Sequence, residues 1–264
     1  MTATPPLSIT IPVLNGATYL RNAIESALRV IQPGDEVLVC DNGSSDDSPG
    51  IAKTFEGRAG YRFVQFPRGE GMGFDWTRAV RATPHSIVKL LPCDDELEAG
   101  ALDLERRALA ESGISLVASP KILSTASGKT AWRISRFAPG RFRLADVARR
   151  ILTSPSNPIG EPGSVLFRKE SFDAFDNELI YYCDIDCWYR LLQTGDMMVM
   201  DRPAARFRAQ ASSLSLRNFK KIEADFRRFH AKHTGRSKLS FALAARLRLT
   251  TWVRQSVLST LASL

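Results

Sequence analysis

From Leu7 to Val13 apolar residues alternate with Ser8, Thr10 and Pro12, the period of two that sends successive side chains to opposite faces of a strand. Asn15-Gly16 then supplies a turn, after which Leu20, Ile24 and Leu28 recur at helical spacing, so the chain opens with a β-turn-α unit. Residues 36–40 (EVLVC) form a short, nearly continuous apolar run of the kind buried on both faces in a parallel sheet, stopping at the turn-rich Asp41-Asn42-Gly43-Ser44-Ser45-Asp46. A helix is predicted through residues 51–55, a third strand over 61–66, a helix over 74–82, a fourth strand over 86–91 and a further helix over 99–111. This alternation predicts an α/β fold, a right-handed, doubly wound and mostly parallel sheet whose ligands sit at the carboxyl ends of its strands. Asp41 and the pair Asp94-Asp95 both fall at such ends.

Past residue 115 the alternation decays. Residues 116–124 and 131–135 read as paired strands around Ser127-Gly128, and 144–152 as a helix; this half is expected to build the side of the site that receives the acceptor. The stretch 154–163 (SPSNPIGEPG) is crowded with Pro, Gly and Ser and reads either as a mobile loop near a site or as a simple linker. Residues 216–264 read as helical, with Leu239, Leu243, Leu247, Val253, Val257, Leu261 and Leu264 near one stripe on which Arg246 and Arg254 intrude.

With 44% apolar and 24% charged residues, the 264-residue chain has the composition of an ordinary globular protein and not of a disordered one. Its net charge of +8 is unevenly placed, since residues 202–264 hold fourteen Lys or Arg against Glu223 and Asp225 alone, which leaves the rest net acidic. A uniformly basic nucleic-acid binder would not look like this, and the aromatic residues show no base-stacking pattern among the cations. The basic segment suits docking on the body, an oligomer contact or peripheral contact with an anionic membrane, all open at this level; the oligomeric state is not legible. Cys40, Cys93, Cys183 and Cys187 lack metal-binding CxxC spacing and read as buried thiols. Residues 1–6 lack the basic flank and apolar run of a secretory signal, so a cytoplasmic location is expected, with contact at the inner membrane face as the peripheral option. No apolar stretch reaches the roughly 18 residues of a spanning helix.

Acidic residues recur at predicted loop or helix starts: Asp41, then Asp94 with Asp95, then Asp184 with Asp186. Singly, each reads as a turn former or a helix cap, Asp95 before a helix expected over 97–110 included. Their surroundings add more. SITIPVLNGATYLRNAIESAL followed by DEVLVCDNGSSDDS, then GMGFDWTRAV, IVKLLPCDDELEAGAL, NPIGEPGSVLFRKESF, DIDCWYRLLQTG and RFRAQASSLS together resemble glycosyltransferase family 2, in family order over residues 7–217.

That resemblance implies a GT-A fold, with residues 1–215 as the transferase domain (7–115 binding the nucleotide sugar, 116–215 the acceptor and base half) and 216–264 as a basic helical extension. It implies a metal-dependent, inverting transferase that moves a sugar from a nucleotide diphosphate, UDP most of all, to a hydroxyl of a glycan or glycolipid acceptor in cell-surface polysaccharide assembly. Asp41 matches the residue that binds the donor's base, and an accept-only carboxylate suits the imide N–H of uracil. Asp94 matches the residue that faces the ribose, and Asp95 the ligand of Mn²⁺ or Mg²⁺, hard cations that prefer oxygen donors. Asp184 matches the catalytic base, with Trp188 and Arg190 at the family's spacing and Cys183 where a Glu is usual; Asp186 is the second candidate. Arg208 and Gln210 match residues beside the donor diphosphate, Gln210 standing where the family has His, which weakens metal ligation there. With Cys183, that departure motivates the competing expectation of a non-catalytic sugar-nucleotide-binding scaffold. Nucleotidyl transfer is disfavoured, because no Gly-rich, cation-bearing phosphate loop follows the first strand. His85, His230 and His233 are expected to be structural.

Overall fold

The protein is described by a computed structural model over residues 5–125, 127–209 and 221–262. Its first half follows the hydrophobic pattern closely: β1 (Leu7–Val13), α1 (Ala17–Leu28), β2 (Glu36–Asp41), α2 (Ser48–Lys53), β3 (Tyr61–Gln65), α3 (Met72–Arg81) and β4 (Ile87–Leu90). Parallel pairing places β2 between β3 and β1, and β1 between β2 and β4, so all four carboxyl ends emerge on one edge. The period of two in β2 divides its side chains between two cores. Val37 and Val39 pack with Leu20, Ile24 and Ala27 of α1, whereas Leu38 and Cys40 meet Ala79 of α3 on the other face.

The second half contains β5 (Glu96–Leu97), α4 (Leu102–Leu109), β6 (Ile114–Ala118), β7 (Lys121–Ser124), β8 (Thr130–Ile134), β9 (Gly140–Phe142), α5 (Leu144–Leu152), β10 (Val165–Arg168), α6 (Cys183–Leu191), β11 (Asp196–Val199) and β12 (Ala205–Arg208). The run expected as one strand over 116–124 is two. It breaks at Ser119-Pro120, where the Ser119 N–H turns to the Ser164 carbonyl and Pro120 has no N–H to continue a ladder. β6 therefore stays in the main sheet, of order β3-β2-β1-β4-β10-β6-β11-β9, while β7 joins a second sheet of order β5-β12-β7-β8. Only β10 and β9 run against the common direction of the main sheet. The expected pairing around Ser127-Gly128 is present as the antiparallel β7 and β8. The helix expected from about residue 97 begins at Leu102, behind the short strand β5, so Asp95 caps no helix.

Two helices follow, α7 (Ile222–Thr234) and α8 (Phe241–Ala262). Ile222, Phe226 and Phe229 of α7 and Leu247 of α8 enter the core that also contains Val88, Phe167 and Trp188. Further along α8, Val257, Leu258 and Leu261 pack on Leu123 and Phe207 of the second sheet. Of the stripe expected here, Leu239, Leu243, Leu247, Val257 and Leu261 face the body. Val253 does not: it is 45% exposed, and the buried Leu258 takes up the inward line. Leu264 lies outside the described residues. No described helix is long and apolar enough to cross a membrane.

Two buried ion pairs hold this frame beneath the site. Lys89 of β4 faces α4, pairs with Glu105 at 3.0 Å and donates to the Gly163 carbonyl at 3.0 Å, while Ser119 Oγ donates to Glu105 at 2.7 Å. Asp35 accepts from Arg106 at 2.9 and 2.5 Å and from the backbone of Leu7 and Gln32, fixing α4 to the strand that opens the chain.

Candidate functional site

At the carboxyl end of β2, Asp41 is 2% exposed, its carboxylate lying over the Ser44 N–H at 3.3 Å. The residue after it, Asn42, is locked. Its amide donates to the carbonyls of Val13 and Cys40, and its oxygen accepts from Arg78 at 2.5 Å. Arg78 in turn lies 4.4 Å from the centre of the Phe66 ring and bonds Asp75 at 3.0 Å. The β1 turn is tied to the same edge: Asn15, at φ 56, accepts from the Ser45 N–H, and Asp46 accepts from the Ala17 N–H at the start of α1. Burial alone would raise the Asp46 pKa, but the Ser48 hydroxyl and the backbone N–H groups of Ala17 and Ser48 outweigh it and hold the carboxylate ionised. Gly16 is where this turn meets the end of β4, since a Cβ there would stand 2.7 Å from Cys93 Sγ.

Asp94 and Asp95 follow Cys93 on that β4 turn. Asp95 is 3% exposed and accepts weakly from the Arg208 N–H at 3.4 Å. Its pKa is driven well up, first by burial and then by the negative charges of Asp94 and Glu161, with Lys121 opposing from the side. Arg208 pairs with Glu96 at 2.5 Å and lies 5.4 Å from the Tyr19 ring, held beside Asp95 because β12 pairs with β5. Gln210 lies outside the described residues. Among those described, no three His, Cys, Asp or Glu side chains are grouped to hold a metal by themselves. The donor set instead fits a hard cation that takes one or two carboxylates here and completes its shell with phosphate and water, which would also relieve the crowding of charge at Asp95.

Asp184, 8% exposed, occupies the first turn of α6. One oxygen accepts from the Ile185 N–H and the other from Asn157 Nδ2, each at 2.7 Å. Asn157 organises the segment 154–163: its oxygen accepts from the N–H groups of Ile159 and Gly160, and its amide also reaches the Gly160 carbonyl, to which Trp188 Nε1 donates at 3.1 Å. Lys121 pairs with Glu161, and Lys89 holds the Gly163 carbonyl. The segment expected as a mobile loop or a linker is thus tethered along its length, and it spans from Asp184 at one end to the neighbourhood of Asp95 at the other.

Asp186 is not placed to act as a base. Fully buried, it bonds Arg190 at 3.0 Å, Lys232 at 2.9 Å and His233 at 2.7 Å. Burial would raise its pKa, but the bonds from His233 and Lys232 and the charge of Arg190 prevail and bring it down to about 2. It joins α6 to α7. The histidines are structural as expected, His233 through Asp186, His230 through the Leu152 carbonyl and His85 through Ser8. Cys183 and Cys187 are buried, and burial pushes their thiols up, as for packed core cysteines.

The fold gathers the β2 end with Asp41, the β4 turn with Asp94 and Asp95, the β12 end with Arg208, and the α6 start with Asp184 around one edge of the main sheet. Sequence reasoning assigned nothing to Asn157, Glu161, Lys121 or Asp46. Asn157 and Glu161 do stand within NPIGEPG, and a Pro/Gly-rich segment carrying an amide and a carboxylate between two acidic clusters was the available signal.

Residues 8–176 match the family model described as glycosyl transferase family 2. The succinoglycan biosynthesis protein ExoU of Rhizobium meliloti is 31% identical over 144 residues, 53% of this chain and 41% of ExoU. The chain spans less than two thirds of the length of such curated relatives. The S. aureus TarS 1–349 structure in complex with UDP-GlcNAc superposes with a TM-score of 0.67 at 16% identity, covering 92% of this chain and 70% of that one. The mannosyltransferase PcManGT of Pyrobaculum calidifontis, in complex with GDP-Man and Mn²⁺, gives 0.67 at 14% identity, covering 98% and 74%. The shared architecture is the GT-A fold.

Proposed function

This chain belongs to glycosyltransferase family 2, and from that premise we propose that it is an inverting transferase carrying a sugar from UDP to a hydroxyl of a glycan or glycolipid acceptor. The observation that carries the reading is the division of carboxylates along one sheet edge: Asp41, Asp94 and Asp95 on the strand ends, and Asp184 across the tethered 154–163 segment. Residues 7–115 form the donor half, 116–215 the acceptor half and 216–264 an extension.

In this reading Asp41 accepts the imide N–H of uracil, a bond that a ring presenting only acceptors there would not make. Asp94 meets the ribose hydroxyls, and Arg208, beside Asp95, pairs with the diphosphate. Asp95 would hold a divalent cation, which when bound supplies positive charge to the diphosphate. Asp184 takes the proton of the acceptor hydroxyl as its oxygen attacks the anomeric carbon; the bond from that carbon to the diphosphate oxygen breaks on the opposite face, and configuration inverts. Asn157 keeps the Asp184 carboxylate turned toward the 154–163 segment. ExoU's name, succinoglycan biosynthesis protein, supports a role in polysaccharide assembly.

Calorimetric titration with UDP, GDP and dTDP, each with and without Mn²⁺, tests the donor side. Manganese-dependent binding of UDP that is lost in Asp95→Ala is expected. Preference for GDP would overturn the uracil assignment. UDP binding with no sugar transfer to any acceptor would favour the scaffold reading.

A further inference from the structure

Eight large apolar side chains are exposed among the described residues, and four of them, Phe241, Leu249, Trp252 and Val253, belong to α8. Phe241 is 91% exposed, Trp252 66% and Leu249 64%. Their spacing, with Ala245 between the first two, follows i, i+4, i+8, i+11 and i+12, one continuous face of a helix about 33 Å long at 1.5 Å per residue. The opposite face is already occupied: Leu243 and Leu247 pack on the main core, and Val257, Leu258 and Leu261 on the second sheet. The register of α8 is therefore fixed from within, and the outer stripe is left over after the fold has satisfied the inner one.

The charge beside this stripe selects its occupant. Arg246 and Arg248 lie along it, Arg248 also standing 3.5 Å from Glu223 of α7 while its side chain stays exposed, Arg236 and Lys238 lie just before it, and no acidic residue follows Asp225 in the sequence. Docking the stripe against the same stripe of a second copy would set these cations against their own kind as the faces closed. An anionic surface has no such conflict. A helix with an apolar face and flanking Arg, too charged to span, lies in the plane of a lipid interface, with Trp at the headgroup level.

We propose that the outer face of α8, with Phe241, Leu249, Trp252 and Val253 inserted and Arg246 and Arg248 on the headgroups, docks the protein on an anionic lipid surface. The inference goes beyond the sugar-transfer reading and stands without it, because binding is measured with no nucleotide or acceptor present.

Flotation of the whole protein with phosphatidylglycerol–phosphatidylcholine vesicles, against phosphatidylcholine alone, tests it. Retention on the anionic vesicles is expected, weakened by salt, with Leu249→Glu/Trp252→Glu lowering the partition about tenfold or more and Arg246→Gln/Arg248→Gln lowering it less. All four positions are outside the core, so circular dichroism of the variants should match the parent; Phe241→Glu provides a second apolar variant if one pair misfolds. Equal retention on neutral vesicles would overturn the electrostatic part, and undiminished retention in the Glu variants would overturn the face. A dimer in sedimentation equilibrium that dissociates in Leu249→Glu, with no vesicle binding, would assign the stripe to a second copy instead.

Discussion

A carboxylate that is to receive a proton must keep one orientation through the reaction, and Asp184 has both oxygens engaged, by the Ile185 N–H and by Asn157. Replacing it by Asn keeps the shape and removes the base. Turnover of Asp184→Asn is expected to fall about 10²- to 10⁴-fold with UDP affinity unchanged; a fall under threefold would assign the proton elsewhere. Asn157→Asp would put a second carboxylate 2.7 Å from the first. Like charge favours the protonated acid, so the acid limb of the kcat–pH profile should move to higher pH, whereas loss of activity with an unmoved limb would mean Asn157 only shapes the loop. The aspartates were legible in the sequence because their types and order carry the resemblance. Asn157 was not, because an amide's worth lies in which groups surround it and not in its spacing.

Elements were legible where they are long enough to display a period. β1 shows its alternation over seven residues and β2 a nearly continuous apolar run within six, while β9 to β12 have three or four each, too few for alternation to register, and Pro120 conceals a change of sheet. Lys89 hid within an otherwise apolar strand. Lys89→Met should cost about 3–5 kcal/mol in urea denaturation, because Glu105 is left buried without its cation, and Lys89→Met/Glu105→Leu should recover much of it. Near-parental stability of the single variant would show that the pair is not buried in solution. The α6–α7 junction responds to pH instead. Asp186 has a folded pKa of about 2, below its ordinary value of 3.8, so its contribution is fully present above about pH 4 and is lost as pH falls toward 2. The amount is about 2 kcal/mol, and Asp186→Asn should flatten that part of the stability–pH curve.

At the scale of the whole molecule, the alternation of strand and helix sufficed to foresee an α/β sheet with Asp41 and Asp94-Asp95 at the ends of its strands, but not the second sheet. That sheet joins β5 and β12, which lie far from each other in sequence, to the β7–β8 pair. A donor nucleotide binding only the folded state should stabilise it by about 2.7 kcal/mol at 100 times its Kd, seen as a Mn²⁺-dependent rise in Tm with UDP; an unchanged Tm would argue against a formed donor site. Every described strand ends by Arg208, yet Asp186, on the helix that carries Asp184, meets two of its three side-chain partners only at Lys232 and His233. A chain truncated before α7 would therefore leave the buried Asp186 with Arg190 as its partner and the helix that carries Asp184 without two of its ties.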